Sequence, residues 1–219
     1  MEVVVNAAAS VDGKLSTRER RQVRISGPED FDRVDRLRAA ADAVVVGVGT
    51  VLADDPHLTL EEEDRRVQRL RAGRPANPAR VVADSRARTP LDARVLDDEA
   101  TTYVLVSEAA AADDVAALED AGAEVVVAGD ERVALGEAFD RLESEGVERL
   151  MVEGGGELIF SLFEEGLVDE LSVFVGSLLV GGRDAPTLAD GDGFASEFPA
   201  LELVGVERLG DGVVLSYRV

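Results

Sequence analysis

The chain has 219 residues, with 45 Asp and Glu against 23 Lys and Arg, a formal charge of −22. It has no Cys, no Trp, one His (His57) and one Lys (Lys14), which excludes disulfide frameworks, thiolate nucleophiles, Cys-built zinc centres and iron–sulfur clusters. The sign of the charge disfavours nucleic acid, while 46% apolar residues exclude an acidic disordered chain.

Residues 2–9 read as a mostly buried strand that breaks at the turn Ser10-Val11-Asp12-Gly13. An arginine-rich loop follows, in which Arg18, Arg20, Arg21 and Arg24 either cap a substrate phosphate or balance local acid. Ser26-Gly27-Pro28-Glu29 has the form of a helix start, with Ser26 as N-cap, Pro28 in the first turn and Glu29 at the capping-box position. Phe31, Val34, Leu37 and Arg38 continue it at helical spacing. Residues 43–48 form a β-branched run without polar alternation, the pattern of a strand covered on both faces.

That strand leads through Gly47-Val48-Gly49-Thr50 to Asp54-Asp55-Pro56. Two glycines allow close approach of a ligand to the backbone, and Thr50 offers a hydroxyl. As a dinucleotide fingerprint the segment is defective: Leu52 occupies the third glycine position and no helix is expected to open there. A tight strand-to-loop turn is the alternative. His57 reads as a surface-loop side chain, and Asp54 and Asp55 on a Pro-bounded turn point apart, so no metal site is expected. Residues 61–77, charged and closed by Gly73 and Pro75, read as a mobile excursion.

Strands at 80–83, 102–106, 124–127 and 149–152 then alternate with helices at 109–121, 135–144 and 158–165. Beyond the first of these strands, Asp84-Ser85-Arg86-Ala87-Arg88 sets two cations beside a hydroxyl, which suits the 2′-phosphate of NADP; a solvated charged turn is the alternative. After strand 149–152, Glu153-Gly154-Gly155-Gly156-Glu157 opens a helix with unobstructed N–H groups, an anion site suited to a pyrophosphate. Strands at 170–175, 201–207 and 213–219 follow, the last two joined through Gly210-Asp211-Gly212. In the first of these, Leu171, Val173, Phe174 and Val175 suit either an interface or a core strand. The fold class is α/β: a mixed, mostly parallel sheet flanked by helices, with an antiparallel C-terminal hairpin, in a single domain over 1–219.

Read together, these segments resemble the reductase family of riboflavin biosynthesis. It comprises the C-terminal half of the bacterial bifunctional deaminase-reductase and the free-standing archaeal and fungal reductases. The likeness rests on Ala9-Ser10-Val11-Asp12-Gly13-Lys14, Leu37-Arg38-Ala39, the stretch from Gly47 to Pro56 with Leu58-Thr59, Ala83-Asp84-Ser85, Glu153-Gly154-Gly155-Gly156, and Gly181-Gly182-Arg183-Asp184-Ala185-Pro186. These occur in family order along essentially the whole chain.

The resemblance implies a dihydrofolate-reductase-like fold, a homodimer, and NADPH as the reductant of a ribosylaminopyrimidinone 5′-phosphate. It implies that Ala8, Thr50, Asp54, Ser85, Arg86, Ala87, Arg88 and Gly154, Gly155 and Gly156 hold the cofactor. Asn6, Arg38, Leu58 and Glu153 would hold the substrate. Two positions depart from the bacterial pattern: Asn6 stands where bacterial relatives carry Lys, and Leu60-Glu61 where they carry an Arg. Asn6 favours the archaeal order, in which reduction precedes deamination and the substrate is the 2,5-diamino compound.

Reduction needs hydride at C1 of the opened ribosylamine and a proton delivered nearby. Asp54 and Glu153 are the candidate catalytic carboxylates, each either a proton donor or only an orienting group. A folate reductase on the same fold and a non-catalytic nucleotide-binding module are the competing readings. No apolar stretch reaches about 18 residues, so no membrane partner is expected. The N-terminus lacks the basic region of a secretory signal, so the expected location is cytoplasmic. The acidic, arginine-biased surface suits a halophilic, salt-rich cytoplasm.

Overall fold

Apolar side chains on both faces make the central strands. The computed structural model describes residues 1–219, and the chain divides into two compact units. The first holds Met1 with Asp35–Met151, the second Glu2–Val34 with Val152–Val219. Helix α1 (Pro28–Ala40) and strand β6 (Arg149–Val152) are the elements in which the chain passes from one to the other.

In the first unit the strands β2 (Ala43–Gly47), β3 (Ala79–Ala83), β4 (Thr102–Val106) and β5 (Glu124–Val127) run parallel, with β6 beyond β2. Val44, Val45, Val46, Val81, Val82, Val104 and Leu105 are fully buried. Each such side chain contributes roughly 1.5–3 kcal/mol relative to exposure, against a whole strand-propensity range of about 1 kcal/mol, so burial rather than propensity defines these strands. Helices α2 (Val48–Asp54), α3 (Glu63–Arg71), α4 (Ala112–Asp120) and α5 (Leu135–Ser144) complete this unit.

In the second unit β1 (Glu2–Ser10) pairs in parallel with β7 (Glu170–Gly176). Strand β9 (Gly212–Arg218) pairs antiparallel with β7, and β8 (Glu202–Leu209) with β9. The last two form a hairpin across Gly210-Asp211, where Gly210 at φ 59 takes the left-handed conformation such tight turns require. Helix α6 (Gly156–Glu164) belongs here. Leu171, Val173 and Phe174 are buried in β7, a strand with neighbours on both sides, so they are core. No helix is long and apolar enough to cross a membrane.

Four expectations change. The carbonyl of Gly27, not Ser26, accepts the first helical bonds from Asp30 and Phe31, so Gly27 is the N-cap of α1 and Pro28 its first residue. Val48 leaves β2 to open α2 directly, a start without any side-chain cap and therefore without a sequence signature. Helix α4 begins three residues late: Ala110 closes a separate turn on the Ser107 carbonyl, and Ala111, with extended backbone, is the N-cap whose carbonyl accepts from Asp114 and Val115.

The fourth correction concerns residues 61–77, which are docked rather than a mobile excursion. The Asp35 carboxylate accepts from the Glu61 and Glu62 N–H groups and from Arg65, fixing the start of α3. From its far end the buried Arg69 donates to the carbonyls of Ala39, Ala41 and Pro75. Arg74 adds bonds to Ala41 and Asp42. The last carbonyls of α1 thereby find cationic partners, the arrangement a helix C-terminus favours. Burial and the neighbouring Arg74 pull the Arg69 guanidinium down to about 10, still charged at neutral pH.

Candidate active site

The candidate cofactor segments follow the carboxyl ends of the parallel strands β2, β3 and β6, where α/β sheets bind ligands, while Asn6 lies within β1 and Arg38 in α1. In the first unit, Gly47 ends β2 and caps α2, with half-buried Thr50 in its first turn and half-buried Asp54 at its end. Asp55 then takes φ 42, and its carboxylate accepts from the N–H and Nε of Arg94 at 2.8 and 3.1 Å, so Asp54 and Asp55 serve different neighbourhoods.

Leu58 is buried at φ 56, a left-handed conformation costly for a branched chain. Arg38 helps fix that bend: its Nη1 donates to the Thr59 carbonyl at 2.9 Å. The predicted substrate residues Arg38 and Leu58 are thus joined through Thr59, the second residue of the Leu58-Thr59 pair.

At the end of β3, fully buried Asp84 accepts from the Thr89 N–H and hydroxyl at 2.7 and 2.8 Å. This ties down the turn carrying Ser85 to Arg88. Ala87 lies at φ 54, and the Ser85 hydroxyl accepts from the Val133 N–H. Arg88 approaches Asp84 at 3.5 Å. Arg86 points to Glu131 at 2.8 Å in a well-exposed pair.

His57 faces Asp97 at 3.4 Å, and with Glu99 these residues bring ligand atoms within 4.8 Å of one another. Asp97 is already committed: the fully buried Arg80 donates to its Oδ1 at 2.6 Å. Burial opposes ionisation of Asp97, but hydrogen bonds from Arg80 and the Glu99 N–H hold it below the usual carboxylate range. A guanidinium so close works against a cation, and the group reads as an ion-pair network.

In the second unit, β1 carries buried Asn6 and half-buried Ala8, then enters the Ser10–Gly13 turn. Asp12 accepts from the Ser10 hydroxyl and from the Val180 and Gly181 N–H groups, and these bonds hold its carboxyl down to about 2. The same turn lets Lys14 donate to the Ala185 carbonyl. Asp12 therefore organises the glycine-bearing loop 180–186, a role its position in the sequence did not disclose.

The Glu153–Gly156 segment ends β6 and opens α6. Gly154 and Gly155 have φ of 90° and 91°, accessible only to glycine at little cost. Gly156 is required for a different reason: a Cβ there would sit 2.5 Å from the Thr187 carbonyl and 2.8 Å from the Asp190 carboxylate. Asp190 itself accepts from the Thr187 hydroxyl and its N–H bonds the Gly156 carbonyl. Of the arginine cluster, Arg20 lies 3.7 Å from Glu157 and Arg21 pairs with Glu19. Arg24 stacks on Phe31 at 6.0 Å, so the cluster is divided among separate neighbours.

The sequence profile of the RibD C-terminal domain matches residues 1–215. Two archaeal relatives carry the name 2,5-diamino-6-ribosylamino-4(3H)-pyrimidinone 5′-phosphate reductase. That of Archaeoglobus fulgidus is 49% identical over 216 residues, 99% of this chain and 97% of its own. That of Methanothermobacter thermautotrophicus is 48% identical over 219 residues, again 99% and 97%. Among solved structures, a pyrimidine reductase-like protein of Corynebacterium diphtheriae superposes with a TM-score of 0.88 at 21% identity, covering 99% of this chain and 91% of that one.

Proposed function

Because this chain belongs to the RibD C-terminal domain family, we propose that it reduces the ribosyl group of 2,5-diamino-6-ribosylamino-4(3H)-pyrimidinone 5′-phosphate to the ribityl chain, with NADPH as reductant. The observation that carries this reading is near-half identity along almost the full length of two relatives of that name.

The residues fit a phosphorylated nicotinamide cofactor. Gly154 and Gly155 leave backbone N–H groups uncovered by any Cβ at the start of a nine-residue helix, which favours a pyrophosphate. The Ser85–Arg88 turn carries a hydroxyl and two guanidinium groups within four residues, and both cations lie in exposed side chains free to exchange their carboxylate partners, chemistry suited to a 2′-phosphate. When bound, NADPH supplies a hydride for C1 of the sugar once its ring C–O bond has opened.

The chain's own residues do the rest. Arg38 and the rigid Leu58–Thr59 bend are assigned to the substrate, and Asn6 to its polar oxygens. The reaction adds one hydride to carbon and one proton to the nitrogen or oxygen it leaves electron-rich. Asp54 and Glu153, at the ends of α2 and β6, are the carboxylates assigned to deliver or orient that proton. Incubation of the purified protein with NADPH and the diamino substrate is expected to consume reduced-nicotinamide absorbance in proportion to ribityl product. No consumption with that substrate overturns the reading, and turnover of dihydrofolate instead assigns the chain to the neighbouring activity.

A further inference from the structure

The parallel register pairs Asn6 of β1 with Ser172 of β7, so their side chains leave the sheet on one face. Arg33 of α1 reaches both. Its Nη2 donates to Asn6 Oδ1 at 2.8 Å, its Nη1 to Ser172 Oγ at 2.9 Å, and its Nε to Asp30 Oδ1 at 2.8 Å. The side chains of Arg33 and Asp30 are only 12% and 2% exposed, and Asn6 is 6% exposed. Asp30 neutralises Arg33, so the network has no net charge to offer a phosphate.

A guanidinium has donors and no acceptor, which settles how the Asn6 amide is turned. Its oxygen must face Arg33 and its NH₂ must face away. Ser172, having accepted from Arg33, likewise keeps its O–H to give. Asn6 and the half-buried Ser172 make no other side-chain hydrogen bond in the chain, so these donors are left for water or a ligand.

We infer that Arg33 is a positioning residue: braced by Asp30, it fixes Asn6 and Ser172 as a pair of donors, on strands about 4.8 Å apart, that selects an uncharged oxygen, hydroxyl or carbonyl, of the substrate over its phosphate. The inference rests on the assignment of Asn6 to the substrate made above. An ammonium at this position would meet the Arg33 guanidinium, two like charges in a buried site.

Asparagine is rare enough here to make the test direct: the chain has only Asn6 and Asn77. Labelling with ¹⁵N-asparagine yields two side-chain amide pairs in an NMR spectrum, and the pair absent from Asn6→Asp identifies Asn6. Addition of the ribosylaminopyrimidine phosphate to the full-length protein is expected to shift the Asn6 pair, whereas inorganic phosphate leaves it in place. Arg33→Lys, unable to bridge three partners, is expected to raise KM for the pyrimidine substrate about tenfold and leave KM for NADPH within about twofold. A merely structural Arg33 would instead change both constants together.

If Arg33→Lys does not fold, Asn6→Asp carries the test, because it keeps an acceptor for Arg33 and removes the donors. It is expected to lose substrate affinity by a similar factor, and an unchanged KM overturns the inference. Turnover by the wild-type protein with an unmoved Asn6 pair overturns the donor assignment alone. Neither turnover nor a shift overturns it together with the proposed function.

Discussion

Arg86 sits in an exposed pair with Glu131, the class of ion pair worth about 0–1 kcal/mol. Such a partner is exchanged at little cost, so Arg86 can trade a carboxylate for a ligand phosphate held by charge-assisted bonds. Arg86→Ala is therefore expected to raise KM for NADPH about tenfold while moving KM for NADH by less than about twofold, measured by steady-state turnover. Equal effects would mean that Arg86 does not read the 2′-phosphate. The three glycines of the 154–156 segment were legible as a special backbone, because composition alone marks such a run. Their separate reasons were not: two serve φ and one serves a contact with residues more than thirty positions away. Arg33 was equally opaque, since its partners lie on other elements and its meaning depends on which way one amide turns.

Among elements, α3 is the clearest case of tertiary structure defining a segment that the sequence leaves ambiguous. Its charged composition reads as a surface loop, yet Arg69 is buried and satisfies carbonyls at the end of α1. Arg69→Met would take that partner from Ala39, Pro75 and Ala41, of which Ala41 keeps Arg74, and each carbonyl left unsatisfied in a buried setting costs about 1–3 kcal/mol. A fall of about 2–4 kcal/mol in urea-unfolding stability is the expected outcome, and a change below about 0.5 kcal/mol would show that water replaces the guanidinium. The Val-rich strands, by contrast, were legible to within a residue or so, because burial on both faces leaves its mark on every position. Helix starts were less so: α2 has no side-chain cap, and in α1 the cap passes from Ser26 to Gly27.

At the scale of the whole molecule the net charge of −22 dominates. Like charges at this density repel within the folded state more than in an expanded chain, and salt shortens their range from about 10 Å at 0.1 M to about 3 Å at 1 M. The thermal midpoint is expected to rise by several degrees, about 5 °C or more, between 0.1 and 2 M KCl in a calorimetric scan. A flat or falling midpoint would show that the acidic surface is not self-destabilising.

The division of the chain into a continuous unit and a discontinuous one also orders events in time. Residues 35–151 emerge from synthesis as one uninterrupted piece, whereas β1 is made before it and its neighbour β7 after it. The bond from the Val3 N–H to Asp169 spans 166 positions. At ordinary translation rates of about 5–20 residues per second, the Val3–Val5 strand waits roughly ten to thirty seconds for its partner. Until then the β7-facing edge of an apolar strand stays open, and a chain halted before residue 170 would present that edge permanently to chaperones and proteases.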